Sequence, residues 1–339
     1  MKKFLVGCAV LLLIVLGVGA YYLFAGNSGK QKFLYIASNG ATKAAVMDSL
    51  VQNGFVKSPR LFSFLAHRAG YWNNIKPGRY EIEPGTNLVS LIRKLRNGQQ
   101  APVKMVINKL RTKKDLSKVL GLLFEPDSAL VMAFINNPDS LKKFGADTHT
   151  VMTLVIPDTY QAYWNSSPHE LLAKLAGYQK KYWTPQRSAQ AAAQGLNAQQ
   201  AYILASIVEE ETNAAKEKGT IASVYLNRLQ KGVPLQADPT VKFALQDFSL
   251  KRIYEKHLYT SSPYNTYRNR GLPPGPICTP SKTTIDAVLT APKTEYFYFV
   301  ASPAFDGTHA FSISYPEHVQ KAKQYQQALN NLAAQKSAP

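Results

Sequence analysis

An uncharged apolar run covers residues 4–24, directly after Lys2 and Lys3. It is long enough to cross the hydrocarbon core of a bilayer as a helix. Val18-Gly19-Ala20 offers the small residues of a signal-peptide cleavage site, yet the run continues through Tyr21, Tyr22, Leu23 and Phe24, where a cleaved signal turns polar. The pattern therefore predicts a retained single-pass anchor over 4–24. Leu5-Val6-Gly7-Cys8 has the form of a lipoprotein box, but only Phe4 and Leu5 precede it as apolar residues, which argues against lipidation. The two leading lysines place the N-terminus in the cytoplasm and the body outside, with Lys30 and Lys32 weakening the contrast.

Past a polar joint at 25–32, the pattern repeats. Pro77-Gly78-Arg79-Tyr80 and Pro157-Asp158-Thr159-Tyr160 align, and Leu91, Lys94 and Leu95 then match Leu171, Lys174 and Leu175. Upstream, Thr42-Lys43 corresponds to Thr112-Lys113, with Val46 and Leu50 matching Leu116 and Leu120. Each copy reads as strand, helix, connection, strand, helix, giving modules over 33–100 and 101–176. Duplicated packing units and paired glycan-binding modules both fit this pattern. A polar, Gln- and Ala-rich stretch over 177–197 reads as a helical connector to a body over 198–339.

In that body Asn197 can cap a helix over 198–213, with Ile203, Leu204, Ile207 and Val208 apolar. The helix closes on Glu209-Glu210-Glu211. At about 100° per residue, Glu211 falls in the apolar stripe while Glu209 points away and Glu210 sits on the flank. Two of the acids can stay solvated, and the third occupies a core position. Burial raises a carboxyl pKa, and a Glu protonated near neutrality can act as a general acid. The alternative is a buried ion pair. Arg228 falls within the stripe Ile221, Val224, Tyr225, Leu229 of the next helix, at 218–231, and could lower that pKa instead.

The loops 232–240 and 262–277 are rich in Pro, Gly, Tyr, Asn, Gln and Thr. Such side chains suit a sugar cleft, with rings on pyranose faces and amides on hydroxyls, although Pro-rich loops are often plain surface connections. Strands at 296–301 and 309–314, joined through Asp306-Gly307, form a hairpin before a last helix at 316–332. His309 and His318 could face the cleft or lie on the surface.

Composition narrows the function classes. The 339 residues are 45% hydrophobic and carry a net charge of +19, which favours anionic partners. An extracytoplasmic body argues against nucleic acid. The six His are scattered and neither CxxC nor HExxH occurs, so no metal or cofactor is expected. Cys8 lies in the apolar run, which leaves Cys278 without a disulfide partner.

Several ordered blocks carry a resemblance: Ala205-Ser206-Ile207-Val208-Glu209-Glu210-Glu211-Thr212, Ile221-Ala222-Ser223-Val224-Tyr225-Leu226-Asn227-Arg228-Leu229, Leu235-Gln236-Ala237-Asp238-Pro239-Thr240-Val241, and Tyr264-Asn265-Thr266-Tyr267 with Gly271-Leu272-Pro273-Pro274-Gly275. From the apolar run to the last helix the chain resembles the endolytic murein transglycosylases of the MltG/YceG-like group. The resemblance implies an α+β fold: one N-terminal transmembrane helix, LysM-like α/β modules, then a mixed helix and strand catalytic domain. It places the catalytic Glu at Glu211. The family commonly has Lys where this chain has Glu210, an added negative charge that would raise the Glu211 pKa. Glu209, Asn227, Arg228, Gln236, Asp238, Thr240, Tyr264, Asn265, Thr266 and Tyr267 are then supporting or substrate-binding candidates.

The resemblance also implies a single-pass protein of the cell inner membrane with its body in the periplasm, acting on peptidoglycan glycan strands beside penicillin-binding proteins. Glu211 would protonate the oxygen between N-acetylmuramic acid and N-acetylglucosamine, then take a proton from the muramic C6 hydroxyl, whose attack closes a 1,6-anhydro ring. Two alternatives remain open: a lysozyme-like hydrolase using Glu211 with Asp238, and a glycan-binding scaffold without catalysis.

Overall fold

The computed structural model describes residues 2–24, 26 and 32–337. It begins with helix α1 (Lys2–Phe24). The transmembrane anchor expected over 4–24 is corrected here, because among the described residues no helix is long and apolar enough to cross a membrane. Phe4, Leu11, Leu13 and Ile14 are exposed on α1. The rest of the chain is α+β, with many helices and three two-stranded sheets among the described residues.

The chain divides into two compact units, one from residues up to 105 with 120–127 and 161–167, the other from 106–119, 128–160 and 168 onward. The first unit runs β1 (Phe33–Ile36), α2 (Lys43–Gln52), α3 (Pro59–Arg68), β2 (Gly78–Glu81) and α4 (Leu88–Asn97). β1 and β2 pair antiparallel, Leu34 opposite Tyr80 and Ile36 opposite Gly78. Alternation buries Leu34 and Ile36, and Val46, Leu50, Phe62, Ala66, Leu91 and Leu95 from the three helices cover them. Thr42 Oγ1 accepts from the Ala45 N–H and Asn87 Oδ1 from the Ser90 N–H, side-chain caps each contributing ~1 kcal/mol to helix stability.

The same order recurs in β3 (Val103–Ile107), α5 (Lys113–Leu123), α6 (Ser128–Ile135), α7 (Pro138–Lys142), β4 (Asp158–Ala162) and α8 (Pro168–Tyr182), with β3 beside β4 in a two-stranded sheet. The aligned tyrosines share one local device. Tyr80 donates to the Lys76 carbonyl at 2.7 Å, and Tyr160 donates to the Ile156 carbonyl, each reaching back four residues across the Pro turn. Leu116, Leu120, Leu171 and Leu175 are buried like their counterparts Val46, Leu50, Leu91 and Leu95.

The rest of the second unit comprises α9 (Pro185–Ala193), α10 (Ala198–Glu211), α11 (Lys218–Gln230), α12 (Asp238–Leu245), α13 (Glu255–Leu258), α14 (Lys282–Leu289), the hairpin β5 (Tyr298–Ala301) and β6 (His309–Ser312), and α15 (Tyr315–Ser337). The hairpin is antiparallel, with Phe299 opposite Phe311. α10 is the axis of this unit. It starts on a capping box in which Asn197 Oδ1 accepts from the Gln200 N–H and Gln200 Oε1 from the Asn197 N–H. Every residue from Ala201 to Val208 is buried, against α9, α11, α12 and α14. An amphipathic surface helix was the expectation; a helix enclosed on all sides is found, because small Ala201, Ala205 and Ser206 let neighbours approach its polar-looking side. The stretch read as a connector also contributes to this core, through Tyr182, Ala191 and Leu196.

Candidate functional site

The end of the enclosed helix opens into a cleft of about 320 Å³. Glu211, the last residue of α10, lines it with Tyr225 and Arg228 from α11, Gln236 and Asp238 ahead of and at the start of α12, and Tyr267 from the following loop. The β5–β6 hairpin and the start of α15 form the remaining wall, through Tyr298, Phe299, His309, Tyr315 and His318. Thus the two histidines left open by the sequence both face the cleft.

Glu211 Oε1 accepts a short hydrogen bond from the Tyr225 hydroxyl. Burial raises its pKa to about 7; the Tyr225 bond and Lys242 oppose this, while the charges of Asp238 and Glu210 reinforce it. Of the two readings the phase allowed, the raised carboxyl is the one found. Arg228 forms no ion pair among the described residues. Its Nε donates to the Phe297 carbonyl at 2.7 Å, and one terminal nitrogen donates to the carbonyls of Pro234 and Leu235 and to Gln236 Oε1 at 3.0 to 3.1 Å. A buried guanidinium thus ties the hairpin to the loop before α12, with its plane over the Tyr298 ring at 5.0 Å. Gln236 needs that support, since its φ of 56° is left-handed, a conformation that costs a non-glycine residue ~1 kcal/mol or more.

The neighbouring acids are not the solvated pair that helical phase predicted. Glu209 Oε2 is held by Lys218 Nζ at 3.0 Å, by the Ser281 hydroxyl at 3.0 Å and by the Thr284 hydroxyl. Burial pushes its pKa up, but the bonds from Thr284 and Lys218 outweigh that and keep it below the ordinary value. Glu210 meets Lys109 and Arg111, each at 3.0 Å, and its pKa is lowered in the same way against burial. The helix is enclosed as far as Val208, and Glu209 and Glu210 just beyond it each meet a cation. Of the triplet, Glu211 is the member left without one at ion-pair distance among the described residues.

The other predicted residues divide into liners and builders. Asp238 lines the cleft and accepts from the Tyr267 hydroxyl at 2.6 Å. Asn227 faces away, its amide donating to the carbonyls of Thr294 and Tyr296 and so fixing the approach to β5. Thr240 and Thr266 are buried and bonded to each other at 2.8 Å, and the Ala237 N–H donates to Thr266 Oγ1, which joins the two loops. Asn265 is buried, its amide donating to the Leu258 and Thr260 carbonyls and its oxygen accepting from the Tyr267 N–H. Of the supporting or substrate-binding candidates, these four are bonded within the protein and shape the loops. Tyr264 lies at a different pocket, beside His149 and Phe243. The Gly-rich block has a steric reason: a Cβ on Gly275 would come 2.1 Å from the His149 carbonyl oxygen.

Tyr225, Tyr298, Phe299 and Tyr315 were not singled out for the cleft. Tyr225 read as a core position of α11, and its ring is indeed buried; only its hydroxyl reaches the site. Glu217 was also missed. It accepts from the His309 N–H and pairs with His309 Nδ1, each at 3.0 Å, orienting that ring in the cleft wall. Among the described residues no group of three or more His, Cys, Asp or Glu could hold a metal ion.

Comparison with known proteins fits this arrangement. The endolytic murein transglycosylase of Bacillus subtilis (strain 168) is 27% identical over 314 residues, covering 86% of this chain and 84% of the relative. That of Streptococcus pneumoniae serotype 2 (strain D39) is 24% identical over 339 residues, and the alignment spans 88% of this chain but 61% of the pneumococcal one. A crystal structure of a yceG-like protein from Listeria monocytogenes aligns with a TM-score of 0.56 at 26% identity, over 85% of this chain and 97% of the other. The YceG-like family profile matches residues 35–324, from β1 into α15 and through every block that builds the cleft, and the chain belongs to that family.

Proposed function

We propose that the protein is an endolytic lytic transglycosylase of peptidoglycan, cutting the β-1,4 bond from N-acetylmuramic acid to N-acetylglucosamine within glycan strands and leaving 1,6-anhydro ends. The observation that carries this reading is Glu211: a carboxyl with a pKa of about 7, without a cation at ion-pair distance, in the wall of an open cleft. Protonated, it donates to the glycosidic oxygen as that bond breaks. As the resulting carboxylate it takes the proton of the muramic C6 hydroxyl, whose oxygen closes on C1. No water enters and the enzyme returns protonated. The names of the Bacillus and Streptococcus relatives support the same activity. Tyr298, Tyr315 and Tyr267 offer ring faces and hydroxyls for sugar, and the +19 charge suits a polymer bearing peptide carboxylates. Such a substrate places the catalytic unit outside the cytoplasmic membrane, and the first unit, with its β1-α2-α3-β2 order, would serve as a LysM-like glycan-binding module.

Asp238 favours a second reading, since it shares the cleft and raises the Glu211 pKa: hydrolysis with two carboxylates. The test compares Glu211→Gln with Asp238→Asn on uncrosslinked strands. Loss of ~10²–10⁴-fold in Glu211→Gln, with a milder effect in Asp238→Asn, is expected. Full activity in Glu211→Gln would refute the assignment.

A further inference from the structure

The second unit contains another pocket, of about 260 Å³, that the proposed chemistry does not use. Its charged lining is Arg111 just before α5 with Lys113 and Lys114 at its start, His149 stands beside them, and no carboxylate is among the lining residues. Phe243 and Tyr264, whose rings stand 4.6 Å apart, give it an aromatic floor together with Met132 and Met152.

The cations are only partly matched. Arg111 is engaged by Glu210, whereas Lys113 Nζ meets a neutral partner, Asn136 Oδ1, at 2.6 Å. Burial lowers the Lys113 pKa and the charge of Asp147 opposes this incompletely. Asp147 is itself engaged elsewhere, its Oδ1 accepting from the N–H groups of His149 and Thr150 and from the Thr150 hydroxyl. A partly buried ammonium whose nearest partner is neutral is stabilised by an anion that enters beside it. The apolar floor asks for more than a bare ion: a ligand with carboxylates and short aliphatic side chains.

The geometry points to a subsite for the acidic peptide stem of the glycan strand, read by Lys113 and Lys114 over the Phe243–Tyr264 floor. This rests on a peptidoglycan substrate, as proposed above. Murein is the polymer in which carboxylate-bearing peptides hang from alternate sugars. A sugar-only ligand would leave the lysines unmatched. The Arg111 guanidinium borders this pocket while holding Glu210, the neighbour of Glu211 in sequence, so the peptide subsite and the catalytic helix share one side chain.

Two measurements with the full chain test this. In the first, a free stem tetrapeptide is titrated against wild type and against Lys113→Gln/Lys114→Gln. Binding that weakens with salt and falls about tenfold or more in the variant is expected. Absent or equal binding would overturn the subsite. In the second, kcat/KM is compared on strands with peptides and on strands stripped by an amidase. Wild type should prefer the former and the variant should lose that preference at an unchanged rate on stripped strands; equal losses on both would count against a peptide-reading role. If wild type cuts neither strand, the catalytic reading fails, while the titration still decides the subsite.

Discussion

At the scale of single residues, Glu211 stands in a balance between burial and its few polar neighbours. Burial raises its pKa to about 7, and the Tyr225 hydroxyl is the strongest opposing influence. If protonated Glu211 is the acid, kcat/KM should fall as pH rises through about 7. Tyr225→Phe removes a bond that favours the carboxylate, so the alkaline limb should move to higher pH, and a pH–rate profile reads this directly. A shift to lower pH would contradict the assigned geometry. The same balance bears on stability. A carboxyl whose folded pKa lies above its unfolded one favours folding at low pH, and that contribution is lost as pH rises through the folded value. Glu211→Gln should therefore be more stable than wild type at pH 8, by ~1–3 kcal/mol, with the difference vanishing near pH 4. Thermal melts across pH would show it, and an unchanged gap would deny the raised pKa.

At the scale of elements, α10 holds its C-terminal end at Glu211 by pairing the two acids that precede it. Lys218 on α11 and Thr284 on α14 bind Glu209, so the two helices converge on one carboxylate. Lys218→Met leaves that anion half-buried and unpaired, and should destabilise the protein by roughly 3–5 kcal/mol in denaturant titrations. Because the Glu209 pKa is lowered on folding, its stabilisation is present above the unfolded value of about 4.3 and lost as pH falls through the folded one. Glu209→Gln should flatten that acid limb; a limb kept intact would assign it to other groups. Much of this element was legible in advance. Asn197 was readable as a cap, α11 as 218–231 against the observed Lys218–Gln230, and Glu211 as a non-core residue at a core phase. Periodicity could not show that small residues let neighbours enclose α10 on every side. For the same reason it could not show that Glu209 and Glu210 needed cations from Lys218, Lys109 and Arg111, two of them about a hundred positions away. Loop blocks announced a site, but whether Asn265 or Thr266 faced a ligand or a backbone carbonyl depended on tertiary hydrogen bonds. The apolar run at 4–24 misled through local hydropathy alone.

At the scale of the molecule, the site depends on chain far from it. The core around α10 takes Ile156, Tyr182 and Leu196, Tyr202 donates to the Val155 carbonyl at 2.5 Å, and the Leu110 N–H donates to Thr279 at 2.8 Å. A fragment beginning at residue 198 lacks Ile156, Tyr182, Leu196 and both cations of Glu210, and should show neither cooperative unfolding nor strand cleavage; a cooperative melt from it would show the core to be divisible. The central claim is that one carboxyl delivers and recovers a proton while the substrate supplies its own nucleophile. The most direct test is mass spectrometry of strands cut by the full chain in H₂¹⁸O. New muramic ends should be anhydro ends, lighter than reducing ends by one water and free of ¹⁸O. Ends that have gained labelled water would mean hydrolysis and would contradict the account.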